Sequence, residues 1–158
     1  MHTLYPEAQL PVVQLALKAD FDPSEHIRVG ELLAPLRDQG VLIIGSGFSY
    51  HDVRGITSGR GKLASATFDG WLDDTLVHSA PEERTRRLIG WSRAPAARAA
   101  HPREDHLVPL MVAVGAAARD AGARVYHEHA FMGAITASSY RFGDPVVSAT
   151  AQELESAV

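Results

Sequence analysis

The sequence contains no cysteine among its 158 residues, which excludes disulfide bonds, thiolate metal sites and cysteine nucleophiles. It has no apolar run near the roughly 20 residues that a membrane-spanning helix needs, and its N-terminus lacks the basic and apolar regions of a signal peptide. Charge of neither sign dominates, because the formal net charge is only −4, so no nucleic-acid or membrane partner is expected. These absences favour a cytoplasmic globular protein with a single core.

Histidine, by contrast, is plentiful, with eight residues in the chain. Without cysteine, a transition-metal site must be built from imidazole and carboxylate groups. The positions of the histidines relative to the predicted strands and helices therefore carry most of the functional information.

The apolar pattern predicts an α/β fold with a mainly parallel central sheet flanked by helices. Two short apolar runs, PVVQLAL at 11–17 and VLII at 41–44, have the character of buried strands. Between them, Asp22 and Pro23 provide a helix start and Gly40 a helix end. Two strands joined by one helix predict a parallel pair with a right-handed crossover. Further helices are predicted in the middle of the chain, and a strand pair is predicted near 124–142.

The stretch GSGFSYH follows the second predicted strand and ends at His51. Ligands in open α/β sheets bind at the carboxyl ends of parallel strands, so this position favours a functional role for His51. The stretch matches neither a dinucleotide fingerprint, because Tyr50 stands where the third glycine is required, nor a phosphate-binding loop. A plain turn remains the alternative.

The segment AHPREDH precedes an apolar helix and offers His101, Glu104, Asp105 and His106. Acidic residues at a helix start are commonly caps, which is the ordinary interpretation of Glu104 and Asp105. A neutral imidazole there can bind a metal, which favours His106 more than His101.

The segment YHEH places His127 and His129 on one face of a predicted strand, where solvent exposure is the more ordinary explanation than zinc. Ser138, Ser139 and Tyr140 lie in no nucleophile-elbow pattern, which argues against a serine hydrolase. No supporting context surrounds His2, His26 and His78.

Taken together, these segments resemble the class III extradiol ring-cleavage dioxygenases, in the DOPA 4,5-dioxygenase-like branch of the LigB-type superfamily. The resemblance covers almost the whole chain in order. It is carried by LYPEAQLPVVQLAL, LAPLRDQGVLIIGSGFSYHDVRG, FDGWL, HPREDHLVPLMVAVGAA and MGAITASSYRFG.

The resemblance implies an enzyme that opens a catechol ring with O2 at a mononuclear Fe(II) site, with Zn(II) as the alternative ion. His51 and His106 correspond to metal-site positions, and either could instead contact the substrate. The resemblance further implies that residues 1–145 are the C-terminal portion of a longer dioxygenase domain, with 146–158 a polar tail. The expected acid/base histidine would then lie before Met1, and the isolated chain would bind iron poorly.

A homo-oligomer or a partner chain supplying the missing N-terminal half is therefore expected. Two alternatives remain open. One is a non-catalytic remnant that serves as an oligomerising or small-aromatic-binding module. The other is a zinc hydrolase using His51 and His106 with His127 or His129, which would require these histidines to converge.

Overall fold

The computed structural model describes residue 7 and residues 9–144, and the polar tail 146–158 and His2 lie outside the described residues. Helices dominate the described chain, followed by one hairpin. In chain order the elements are α1 (Pro23–Leu33), a 3-10 helix (Ala34–Gln39), α2 (Val53–Ser58), α3 (Lys62–Val77), α4 (Pro81–Ile89), a 3-10 turn (Trp91–Arg93), α5 (Ala97–Ala100), α6 (Val108–Ala117), β1 (Gly122–Phe131) and β2 (Ile135–Phe142).

The first helix begins where its sequence predicts. The carboxylate of Asp22 accepts a hydrogen bond from the backbone N–H of Glu25, and Pro23 occupies the first turn. The α-helix ends at Leu33, just before Pro35, and continues as a 3-10 helix up to Gly40, which has a positive φ of 79°. Proline in a helix interior removes a donor, which accounts for this change of helix type.

Helix α1 packs closely against α6, which contributes Met111 and Val114 to the hydrophobic core, and two glycines allow this approach. A Cβ atom at Gly30 would lie 2.1 Å from the carbonyl oxygen of Val112, and one at Gly115 would lie 2.0 Å from that of Ile27. Ile27 is buried, whereas Leu32, an apolar residue of the same helix, is 74% exposed. Leu32 lies about 140° around the helix from Ile27, away from the contact with α6.

The strand pair near 124–142 is confirmed as an antiparallel hairpin. His127 pairs with Ser138 and Arg124 with Tyr140, and the register shifts twice along β1. Helix α3 packs across the hairpin, and the Thr136 N–H donates to the Ser65 hydroxyl at 3.0 Å.

The predicted parallel sheet is not found within residues 9–144, where the only sheet is this two-stranded hairpin. Residues 11–17 and 41–45 have no regular secondary structure, and they pair with no described strand. Their apolar side chains lie in solvent, with Val13 92% and Leu42 71% exposed. An extended segment becomes a strand only when a neighbour accepts and donates its backbone hydrogen bonds, and the described chain provides no such neighbour.

Among the described residues, no helix combines the length and apolar character needed to cross a membrane.

Candidate metal centre

The loop that carries His51 is held against the turn before α6. The Phe48 N–H donates to the carbonyl oxygen of His106 at 2.9 Å. A Cβ atom at Gly47 would lie 2.2 Å from that same oxygen, and one at Gly45 would lie 2.5 Å from the carbonyl oxygen of Pro109. The glycines in GSG are therefore required for close backbone approach, which brings the loop alongside His106.

His51 and His106 lie in direct contact. Their imidazole rings stack with centroids 3.4 Å apart and an interplanar angle of 18°. The backbone N–H of His51 donates to the carbonyl oxygen of Ala100 at 2.8 Å, which fixes the far end of the loop. Two histidines separated by 55 positions in sequence thus share one partly buried site.

Asp105 completes a group of three metal-capable side chains. One ligand atom from each of His51, Asp105 and His106 lies within 4.8 Å of the other two. Sequence reasoning interpreted Asp105 as a helix cap and so missed it. Its position directly before His106 was the available signal. Only the fold shows that its carboxylate lies near both histidines and does not cap α6.

The electrostatics of the site favour the protonation states that bind metals. Burial, followed by the proximity of His106, lowers the pKa of His51 and keeps its imidazole neutral at pH 7. Burial opposes ionisation of Asp105, but the adjacent His106 ring and the charge of Arg103 outweigh it and lower the pKa of this carboxyl. Neutral imidazole and ionised carboxylate are the forms that donate electron pairs to a metal ion.

The donor set fits a divalent transition metal. Two histidines and one carboxylate are the ligands typical of non-haem Fe(II), and zinc accepts the same atoms. Nδ1 of His106 is buried without a hydrogen bond, although it lies 3.3 Å from Asp105 Oδ1. Because stacked rings direct their nitrogens side by side rather than toward a common point, binding one ion through both requires one imidazole to rotate.

His101 anchors the loop that carries His51. Its side chain is fully buried, and its edge contacts with Phe68 and Trp91 hold the ring in the core. Nε2 lies 3.1 Å from the carbonyl oxygen of Ser49, two residues before His51. Burial lowers the pKa of His101 to about 4, so the neutral ring donates from Nε2 and anchors the loop.

His127 and His129 do not join this group. Their rings contact each other at 4.2 Å on the hairpin, as their alternation predicts. Nδ1 of His127 lies 2.8 Å from the Ser138 hydroxyl instead. Among the described residues the group of metal-capable side chains contains neither histidine, so the convergence that the zinc-hydrolase alternative requires is not found.

A groove of about 760 Å³ opens beside His106. It runs between segment 41–49, helix α6 and strand β2, and Leu107 and Leu110 contribute apolar surface to its wall. Its size suits a small aromatic molecule or a segment of polypeptide.

Comparison with known proteins identifies the family. Residues 1–143 match the family described as the catalytic LigB subunit of aromatic ring-opening dioxygenase. The chain belongs to the LigB family of class III extradiol dioxygenases.

Plant proteins named 4,5-DOPA dioxygenase extradiol are among the relatives of this LigB chain. That of Beta vulgaris is 38% identical over 141 residues, covering 88% of this chain and 52% of the relative. That of Portulaca grandiflora is 35% identical over 143 residues, covering 87% and 51%. The chain thus spans about half the length of these curated relatives.

A solved structure shares the fold. The crystal structure of an uncharacterised protein from Escherichia coli K12 superposes with a TM-score of 0.74 at 22% identity, covering 90% of this chain and 59% of that one. The two proteins therefore share a fold, although the parallel sheet predicted from the sequence of this chain is not formed within its described residues.

Proposed function

We propose that this chain carries part of the active site of an extradiol dioxygenase that opens a catechol-type ring with O2, and that His51, His106 and Asp105 hold its metal ion. The contact between the two histidine rings, with the carboxylate beside them, is the observation that carries the proposal. Fe(II) is the proposed ion, and Zn(II) is the alternative.

Such an ion, when bound, brings a catechol and O2 together at open coordination positions. The contribution of the chain is to supply donor atoms in the correct protonation state. Asp105 remains anionic because its pKa is lowered, and His51 remains neutral because burial lowers its pKa. If His51 instead contacts the substrate, its neutral imidazole is suited to accept a catechol proton.

We further propose that a second polypeptide completes the site. Residues 42–47 make no backbone hydrogen bond to other described residues, and within the described chain β2 pairs only with β1. The groove lies between these two unpaired backbones. Unpaired extended edges accept an added strand, which here would come from a partner chain supplying the rest of the domain or from a second copy.

The alternative is a non-catalytic module that binds a small aromatic molecule or oligomerises. The exposed apolar side chains of segments 9–17 and 41–45 and the apolar wall of the groove favour this alternative. It requires no metal, which distinguishes it from the first proposal.

Metal titration separates the two functions. Fe(II) affinity is measured anaerobically by competition with a chromogenic chelator, for the wild-type chain and for His51→Ala and His106→Ala. We expect each variant to lose at least about tenfold in affinity, since even residues that only support ligands contribute 10- to 100-fold. His78→Ala, which removes an exposed histidine outside the group, is the matched control. Equal affinity in all four proteins would overturn the metal site and leave the binding module.

A further inference from the structure

A second polar cluster lies between helix α3 and the hairpin, outside the three candidate ligands. The side chain of Asp69 is only 3% exposed, and its Oδ2 lies 3.4 Å from Nδ1 of His127. Its other oxygen, Oδ1, is buried without a hydrogen-bond partner. Oδ2 also lies 3.9 Å from Nη1 of Arg124, a long ion pair that leaves Oδ1 without a partner. Because burying an incompletely paired carboxylate is costly, fold stability alone does not explain its position.

The cluster orients a hydroxyl group. An ionised carboxylate only accepts hydrogen bonds, so Asp69 requires a hydrogen on Nδ1 of His127. The same hydrogen is directed at the Ser138 hydroxyl oxygen, which lies 2.8 Å from Nδ1. Ser138 Oγ is then the acceptor of this bond. A hydroxyl whose oxygen accepts in this way keeps its own hydrogen available for another partner.

Tyr140 contributes a second hydroxyl beside the first. It follows Ser138 by two positions on β2, so both side chains lie on the same face of the strand. Its hydroxyl is buried and has no hydrogen-bond partner. Burial, reinforced by the charge of Asp69, raises the pKa of Tyr140, so its phenol keeps its proton and acts as a donor.

Both residues line the groove that also reaches His106. The link to the candidate metal centre is short, because the Ser138 N–H donates at 3.3 Å to the hydroxyl of Ser49, which lies two residues before His51. A ligand in the groove would therefore have His106 on one side and two hydroxyl groups on another.

We propose that the Ser138 and Tyr140 hydroxyls form an oxygen-recognition subsite that donates hydrogen bonds to a neutral carbonyl oxygen on the aromatic ligand, with His127 and Asp69 as positioning residues. The identity of the ligand as a catechol rests on the proposed function. A neutral acceptor is favoured over a carboxylate because the buried charge of Asp69 lies beside both hydroxyls.

The test compares two ligands that differ by one carbonyl group. Catechol and 3,4-dihydroxybenzaldehyde are titrated calorimetrically into the full chain loaded with Zn(II), which does not undergo redox chemistry. We expect the affinity for the aldehyde relative to that for catechol to fall about fivefold in Ser138→Ala and in Tyr140→Phe. Loss of one neutral hydrogen bond produces a change of this size. The electronic effect of the aldehyde on the ring is the same in every variant, so the comparison removes it.

The positioning role has its own readout. In Asp69→Asn, ¹⁵N NMR of His127 should show a shift of the hydrogen from Nδ1 toward Nε2, with Zn(II) affinity unchanged. The positioning role would be overturned if His127 of the wild-type chain carried no hydrogen on Nδ1, or if Asp69→Asn left that hydrogen in place.

The outcomes are distinguishable. If the chain binds both ligands and the ratio is the same in wild type and variants, the subsite is refuted while the proposed function stands. If it binds neither, both the subsite and the aromatic-binding function are refuted. Thermal unfolding of each variant confirms that these small substitutions leave the chain folded.

Discussion

The imidazole rings of His51 and His106 stack at 3.4 Å, although 55 positions separate them in the sequence. The contact depends on the hydrogen bond between the Phe48 N–H and the His106 carbonyl oxygen, and on glycines that let the two backbones touch. Binding of a metal ion, protonation of the two imidazoles or substitution of a loop glycine would each change this arrangement measurably.

Replacing Gly47 with alanine should separate the histidines. The new Cβ would lie 2.2 Å from the His106 carbonyl oxygen, so the loop must move away. We expect the free energy of unfolding to fall by about 1–3 kcal/mol and Fe(II) affinity to fall with it. Urea unfolding and metal titration measure the two effects.

Gly70→Ala is the matched control, because a Cβ at this position in α3 meets nothing within 4 Å. It should be neutral or stabilise the helix by up to about 1 kcal/mol. Unchanged metal affinity in Gly47→Ala would refute the role given to the close approach.

Asp105→Asn tests the carboxylate that the sequence did not reveal as a ligand. An amide is a poorer donor to a metal ion and carries no charge, so Fe(II) affinity should fall at least about tenfold. Asp38→Asn, which changes an exposed carboxylate on the 3-10 helix, should leave affinity unchanged. If both variants bind like the wild type, Asp105 acts only as a local structural residue.

The pH dependence of stability should report His101. Its pKa is lowered to about 4 by burial, against about 6.5 in an unfolded chain. Below pH 6.5 the unfolded chain therefore binds a proton that the folded chain does not. The stabilisation is complete above pH 6.5 and declines as the pH falls toward 4, by about 3 kcal/mol in all.

Urea unfolding at pH 7, 6 and 5 measures this loss, and His101→Gln should make the decline shallower. A decline of equal slope in this variant would assign the pH dependence to other groups.

The exposed apolar segments should drive self-association. Val13 and Leu42 are 92% and 71% exposed, and neither makes a backbone hydrogen bond to other described residues. Burying apolar surface contributes about 25 cal/mol per Å². Light scattering after size-exclusion chromatography should detect oligomers that Leu42→Glu weakens. Leu63→Glu, a control at an exposed position on α3, should not. A wild-type chain that remains monomeric at high concentration would contradict this expectation.

Ring cleavage is the most direct functional test. Given Fe(II), O2 and DOPA or protocatechuate, we expect the purified chain alone to form no yellow ring-opened product, because it spans about half the length of its curated relatives. The rest of the domain is expected to supply an acid/base group, which contributes about 10²–10⁴ in rate. Co-expression with a polypeptide that supplies the rest of the domain should restore the product. Ring cleavage by the chain alone, lost in His51→Ala, would instead locate a sufficient site on these 158 residues.

The sequence by itself determined the local elements. Asp22 and Pro23 start α1 through a cap and a preset φ angle, and the apolar run after His106 forms α6, because these signals act within a few residues. The family resemblance also came from local motifs in order along the chain, and it is confirmed over residues 1–143.

Only the tertiary structure decided the rest. Apolar runs at 11–17 and 41–44 predicted a parallel sheet, but strand pairing depends on a neighbour that the described chain does not provide. Asp105 was interpreted as a helix cap because a sequence does not show the direction in which a side chain points. Its proximity to His51, within 4.8 Å, arises from packing between distant elements, as does the placement of Asp69 against His127. Local patterns carry no information about such distances.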